Sequence, residues 1–205
     1  HKFMHSFLSG ASPEEALNAG EFDKLEEGAQ AETWMLDYIE FSMTDTFTVR
    51  EPIADHLEVT SHAQMPDDSI LLCVLDAIVD WGGGVWVLDH KSTFAIGAAW
   101  LNSFRIDTQM DAYAYSCKAM IGECAGIAIN AIATCGKPSG GRFIRHYSPR
   151  SKYDHERFVS VYTQSVEDME SAVARFRFPQ HTSQCGVYGG CRMRDICLYN
   201  AFSDN

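Results

Sequence analysis

Apolar and polar positions along this chain change their period several times, and each change marks an element. Over the first 43 residues the spacing is helical. Phe3, Met4 and Phe7 share one face of a helix predicted over His1 to Leu8, and the pattern opens at His1 as though it continues upstream. Ser9-Gly10 makes a turn, Ser12-Pro13-Glu14-Glu15 opens a second helix, and a longer one lies around Leu25 to Phe41. Serine as N-cap with proline in the first turn is ordinary helix-start chemistry. From Phe47 the period shortens to two. Leu57, Val59, Ser61 and Ala63 alternate with Glu58, Thr60 and His62, which predicts a half-buried strand. A turn at Pro66-Asp67-Asp68-Ser69 leads into a strand over Ile70 to Asp80, rich in Ile, Leu and Val. Trp81-Gly82-Gly83-Gly84 turns again, and Val85 to Leu88 forms a third strand ending at Asp89. The three strands read as an antiparallel meander.

Helical spacing resumes near Trp100 and runs through Gln109 to about Met120. Gly126 to Ala133 is a fully buried strand with Arg142 to Tyr147 expected beside it, and an amphipathic helix covers roughly Asp154 to Phe176. The sum is an α/β fold, a central mixed β-sheet flanked by helices, in one domain over residues 1–205. That domain divides into an N-terminal helical part (1–43), a core (44–180) and a Cys-rich tail (181–205).

Composition narrows the function. With 46% apolar and 21% charged residues the chain is ordinary globular protein, and no apolar run reaches the roughly 18 residues a membrane helix needs. A soluble protein without a membrane partner is expected. Seven cysteines, an odd number spread through strands and helices, do not form a secreted disulfide pattern, so a reducing, cytoplasmic setting is expected. The net charge of −12 argues against nucleic-acid binding, since phosphates are held mainly by Lys and Arg. Against this, Lys137, Arg142, Arg145, Arg150, Lys152 and Arg157 fall within about twenty residues, a basic strip that could face DNA.

The candidate chemistry lies in the meander. Leu75-Asp76-Ala77-Ile78-Val79-Asp80, the glycine turn and Val87-Leu88-Asp89-His90-Lys91-Ser92-Thr93 place Asp76 and Asp89 on adjacent strands of one hairpin. Lys91, two residues past Asp89, shares its face. Two neighbouring carboxylates repel one another unless a hard divalent cation such as Mg²⁺ or Mn²⁺ lies between them. The lysine can then orient or deprotonate an attacking water and offset charge on a phosphate. A lone D-x-K is most often a surface ion pair. Here it follows a strand with its own aspartate, and Gln109 and Tyr113 share a helix face downstream.

The order L-D-A-I-V-D, glycine turn, V-W-V-L-D-H-K-S-T, then Q-x-x-x-Y resembles the RecB-type branch of the PD-(D/E)XK nuclease superfamily, with bacteriophage-type exonucleases and CRISPR-adaptation nucleases among its members. The resemblance implies a restriction-endonuclease-like core and a Mg²⁺- or Mn²⁺-dependent deoxyribonuclease, an exonuclease by preference, acting on DNA ends in recombination, repair or phage DNA metabolism. It assigns Asp76 and Asp89 to metal binding, the backbone carbonyl of His90 to the same ion, Lys91 to catalysis, and Gln109 and Tyr113 to the DNA strand. A histidine on the N-terminal helix, His1 in preference to His5, is implied as a further ligand. An additional acid would be Glu51 or Glu58, and residues 41–56 match no part of the pattern.

Cys185, Cys191 and Cys197 recur at even intervals among glycines. In several relatives of that branch three C-terminal cysteines join one before the N-terminal helix around a [4Fe-4S] cluster, which the resemblance would assign to Cys185, Cys191 and Cys197 here. A structural zinc completed by His181, or plain packing, is the alternative. Two other functions stay open on the sequence: a non-catalytic DNA-binding or scaffold module with a nuclease fold, and a zinc-binding interaction protein centred on the tail.

Overall fold

A computed structural model describes residues 2–21, 28–43, 47–51, 55–135, 141–177, 185, 190–192 and 194. The chain divides into two compact units, His1–Ser160 and Val161–Asn205. Its elements are α1 (Lys2–Leu8), α2 (Pro13–Ala19), α3 (Gly28–Ser42), β1 (Thr48–Val49), β2 (Leu57–Gln64), β3 (Ile70–Trp81), β4 (Gly84–Thr93), α4 (Ala98–Ser103), α5 (Thr108–Ile121), β5 (Gly126–Ala133), β6 (Phe143–Pro149) and α6 (Lys152–Ala174). Ser12 caps α2 as its sequence predicts. Its hydroxyl accepts from the Glu15 amide, and the Glu15 carboxylate accepts from the Ser12 amide, a reciprocal cap that contributes about 1 kcal/mol.

The sheet runs β1-β3-β4-β5-β6, with β2 pairing β3 beside the short β1. β2, β3 and β4 form the antiparallel meander, whereas β4 and β5 are parallel, joined by the crossover through α4 and α5. The fold is therefore α/β with a mixed sheet flanked by helices. On one face Val85, Val87, Ile127 and Ile129 pack with Met110, Ala114 and Cys117 of α5. On the other, Leu57, Ala77, Val79, Trp86 and Leu88 pack with Leu8, and Phe3, Met4, Ala16 and Tyr38 of α1–α3 close over Phe143. Each fully buried aliphatic side chain stabilises the fold by roughly 1.5–3 kcal/mol. Among the described residues no helix is long and apolar enough to cross a membrane.

Three details differ from the expectation. β4 does not end at Asp89 but runs to Thr93, because β5 pairs with it from Trp86 through Thr93. The helical stretch after Trp100 is broken: α4 passes into a 3₁₀ turn at Phe104–Ile106, and α5 starts afresh after extended Asp107. The Asp107 carboxylate caps that new helix, accepting from the Gln109 and Met110 amides at 2.8 and 3.1 Å. Within the stretch that matched no pattern, Thr48–Val49 pairs with Asp80 and Val79 at the edge of β3.

One irregularity bears on the site. Leu75 and Val59, paired across β2 and β3, lie against the α5 face. Ala77 and Leu57, the pair two residues on, belong to the opposite face. Strict alternation would keep all four on one side. The ladder skips the pair between them, Glu58 and Asp76, and Glu58 has φ 47°, a conformation uncommon for a residue with a side chain. Both strands turn over together at this point, and Asp76 stands at the turnover.

Candidate active site

Strand β4 alternates cleanly. Val85 and Val87 enter the α5 face, so Asp89 and Lys91 follow on that face and His90 points to the other. The last pair joining β3 to β4 is Ala77–Leu88; one step further Asp76 would stand across from Asp89, but the strands have parted to take different neighbours. The Asp76 side chain fills the break, its Oδ2 accepting from the His90 amide at 2.9 Å. Asp76, Asp89 and Lys91 thus gather where β3 and β4 separate.

Asp89 is only 2% exposed. Lys91 Nζ lies 2.9 Å from its Oδ2 and makes its hydrogen bond to Oδ1 at 3.2 Å. Both carboxylate oxygens are therefore held against the one ammonium, and no other group donates to buried Oδ2 among the described residues. Burial pushes the Asp89 carboxyl up to about 6; Lys91 opposes the rise, and the negative charges of Asp76 and Asp107 add to it. A buried carboxylate with a second carboxylate nearby and a single ammonium to offset both is costly on its own and well suited to a further cation.

Helix α5 supplies the next layer. Met110, Ala114 and Cys117 bury its inner stripe, while Gln109 and Tyr113 flank it one turn apart. Gln109 Nε2 donates to the Tyr113 hydroxyl at 2.8 Å. Burial raises the Tyr113 phenol above its ordinary value, and the charges of Asp89 and Asp76 raise it further, against the Gln109 hydrogen bond. Tyr113 accordingly stands in the field of both carboxylates and keeps its proton at neutral pH.

The His90 imidazole belongs to the opposite face. Its Nδ1 lies 2.7 Å from Nδ2 of buried Asn130, which also donates to the Tyr38 hydroxyl at 3.0 Å. Burial holds the ring well below its ordinary value, Asp76 opposing and Arg145 adding, so it is neutral with Nδ1 accepting. With its ring committed to the core, His90 could reach an ion on the Asp89 face only through its backbone carbonyl.

The donor set fits a hard divalent cation: two neighbouring carboxylates, one of them buried. Among the described residues, no three His, Cys, Asp or Glu side chains cluster in a metal-ligating arrangement. His1 lies outside the described residues. His5 is exposed on α1, and Glu51 and Glu58 are exposed, Glu58 at the turnover opposite Asp76. Cys185 and Cys191 approach through their backbones, the Cys191 amide donating to the Cys185 carbonyl at 3.2 Å, while Cys197 and His181 lie outside the described residues.

The basic strip is a correction. Arg150 is turned inward, and Arg142, Arg145 and Arg157 are partly buried against neighbouring elements. Arg150, its side chain 1% exposed, donates to Asp111 at 2.6 Å and to the Phe104 carbonyl at 2.6 Å. Arg157 donates to Asp111 at 2.7 Å and Asp154 at 3.0 Å. Arg142 donates to the Ala133 carbonyl and covers the Trp34 ring, and Arg145 lies over Phe41 and Phe47. Lys152 remains exposed; Lys137 lies outside the described residues. Clustering in sequence did not become a surface patch because β6 and the start of α6 spend these cations on neighbouring elements.

Sequence reasoning also missed two positioning groups. Asp107 was legible as an N-cap, an acid just ahead of an apolar helical stripe. The Asp111–Arg150–Arg157 clamp carried no local signal, its members lying 39 and 46 residues apart.

No protein-family model and no curated protein matches the sequence. Among solved structures the chain is similar to one titled "Crystal structure of SSO0001", at 9% identity over 81% of this chain and 71% of that one, with a TM-score of 0.38.

Proposed function

We propose that the chain is a metal-dependent DNA nuclease, an exonuclease by preference, hydrolysing phosphodiester bonds at DNA ends in recombination and repair. The observation that carries this reading is Asp89: a carboxylate buried at the parting of two strands, with Lys91 on its own face and Asp76 alongside. A structural ion pair has no need of the second carboxylate. The resemblance in D, D-x-K and Q-x-x-x-Y supports the same assignment.

Asp76, Asp89 and the His90 carbonyl would hold a Mg²⁺ or Mn²⁺ ion. When bound, such an ion polarises a phosphate oxygen and lowers the pKa of a water. Every other element of the reaction belongs to side chains. Lys91, 28% exposed and tethered to Asp89, reaches the mouth of the site, where its ammonium orients a water and offsets negative charge growing on the phosphate. Tyr113 stays protonated and offers its hydroxyl to a phosphate oxygen, and Gln109 fixes the hydroxyl's direction. With these arginines engaged by neighbouring elements, the attraction for the DNA backbone at this site would come chiefly from the cation and Lys91, and binding should depend on the metal.

The test is digestion of end-labelled single- and double-stranded DNA with Mg²⁺, with Mn²⁺ and with chelator. Cleavage is expected with either ion and none in chelator. Asp89→Ala and Lys91→Ala should each lose at least about a hundredfold while keeping the wild-type circular dichroism spectrum. Absence of cleavage by the wild type in both ions, or undiminished cleavage by either variant, would overturn the assignment.

A further inference from the structure

On the flank of α5 away from Gln109 and Tyr113 lies an open groove of about 430 Å³. Tyr115 is two residues past Tyr113, so the two rings leave the helix roughly 200° apart. Tyr115 and Lys118 form one wall. Lys152, His155, Glu156 and Val159, at helical spacing on the first two turns of α6, form the other. Every one of these residues belongs to the His1–Ser160 unit.

The centre of the groove is His155. It is 9% exposed, and its ring lies 6.4 Å from the Tyr115 ring. Among the described residues neither of its ring nitrogens makes a hydrogen bond, and neither is sealed from the solvent that fills the groove. A nine-tenths-buried imidazole that lines a cavity without a protein partner is a donor and an acceptor held ready for something that enters. Burial and the nearby Lys118 ammonium keep it neutral, against the pull of Asp154 and Asp111.

The charges around it say what enters. Lys118 and Lys152 outnumber Glu156, which takes up part of Lys152 through a contact of 3.4 Å. The groove therefore carries a surplus positive charge, and the first turn of the 23-residue α6 adds its own positive field. A bare anion would fill little of the space, since about 430 Å³ is in the range of organic ligand sites. The Tyr115 ring and the Val159 side chain supply an aromatic and an apolar wall beside the cations. A phosphate joined to a flat, partly apolar body satisfies all three features.

We propose that this groove is a nucleotide-binding subsite, with the phosphate between Lys118, Lys152 and His155 and the sugar and base against Tyr115 and Val159. The nucleotide is a free mononucleotide or one unit of a single strand. This inference stands apart from the nuclease reading, because none of its residues contributes to the carboxylate site.

The test is a titration of the full chain in chelator, read by the His155 ring resonances and by calorimetry, with inorganic phosphate, deoxyadenylate and a five-nucleotide single strand as probes. Deoxyadenylate should shift the His155 signals and bind at least about tenfold more tightly than phosphate. The double variant Lys118→Gln with Lys152→Gln, both at exposed positions, should fold normally and bind at least about tenfold more weakly. Asp89→Ala should bind as the wild type does. Tighter binding of the pentanucleotide than of deoxyadenylate supports a strand as source, and equal binding supports the free nucleotide. The proposal fails if no probe shifts His155 at about 10 mM, if phosphate binds as well as deoxyadenylate, if the lysine variant is indistinguishable from wild type, or if Asp89→Ala abolishes binding.

Discussion

Replacing Asp89 by asparagine removes a charge that the fold buries at a cost, and the size of that cost follows from the site. Asp89 is 2% exposed, and its carboxyl is pushed from an ordinary 3.8 up to about 6, a net rise that already contains the opposing attraction of Lys91. A carboxyl whose pKa is higher in the folded than in the unfolded chain favours folding when protonated. Its stabilising contribution is complete below about pH 3.8 and is lost as pH climbs through about 6. The span is roughly two pH units, and at about 1.4 kcal/mol per unit the ionised Asp89 costs the folded state about 3 kcal/mol above pH 7. Asparagine keeps the shape without the charge, and Lys91, 28% exposed, can turn to water. In chelator, Asp89→Asn should therefore be about 3 kcal/mol more stable than wild type at pH 8, with the difference gone near pH 4. Urea denaturation at the two pH values, extrapolated linearly to water, measures it. A variant no more stable than wild type at pH 8, or an advantage of equal size at pH 4, would refute the electrostatic account. Under the metal reading, millimolar Mg²⁺ should narrow the gap at pH 8 by stabilising the wild type alone.

Three other outcomes follow from the same geometry. On the proposed nuclease reading, Tyr113→Phe and Gln109→Ala should each reduce cleavage by about tenfold, less than Asp89→Ala, because they would position the strand and touch no ion; steady-state rates on labelled DNA check this, and silence of both would make the shared face accidental. Asp111→Ala leaves Arg150 buried without its partner and should destabilise the fold by roughly 3–5 kcal/mol in urea titrations. Gly126→Ala should cost about 4 kcal/mol or more, since its φ is +149° and an added Cβ would stand 2.4 Å from the Ser148 carbonyl oxygen; a soluble, normally stable variant would contradict the β5–β6 packing.

Some of this protein was decided by neighbours along the chain and could be read from them. The alternation from Leu57 to Ala63 and the Ile70–Asp80 run became β2 and β3, and Ser12 capped α2, because side-chain period and capping depend on residues a few positions apart. Asp89 and Lys91 share a face for the same reason, and so do Gln109 and Tyr113. The tertiary structure decided the rest. β4 outran its expected end because a parallel partner 40 residues away extended it. The basic strip vanished into the Asp111 clamp and onto aromatic rings because a cation's partner is chosen by packing, not by its neighbours in sequence. The turnover at Glu58 and Asp76, and the burial that raises Asp89, arise only where β3 leaves β4 for β2. Sequence by itself singled out Asp76, Asp89 and Lys91 as candidates on neighbouring strands. Burial and strand divergence, which no local window encodes, set their charge and their convergence.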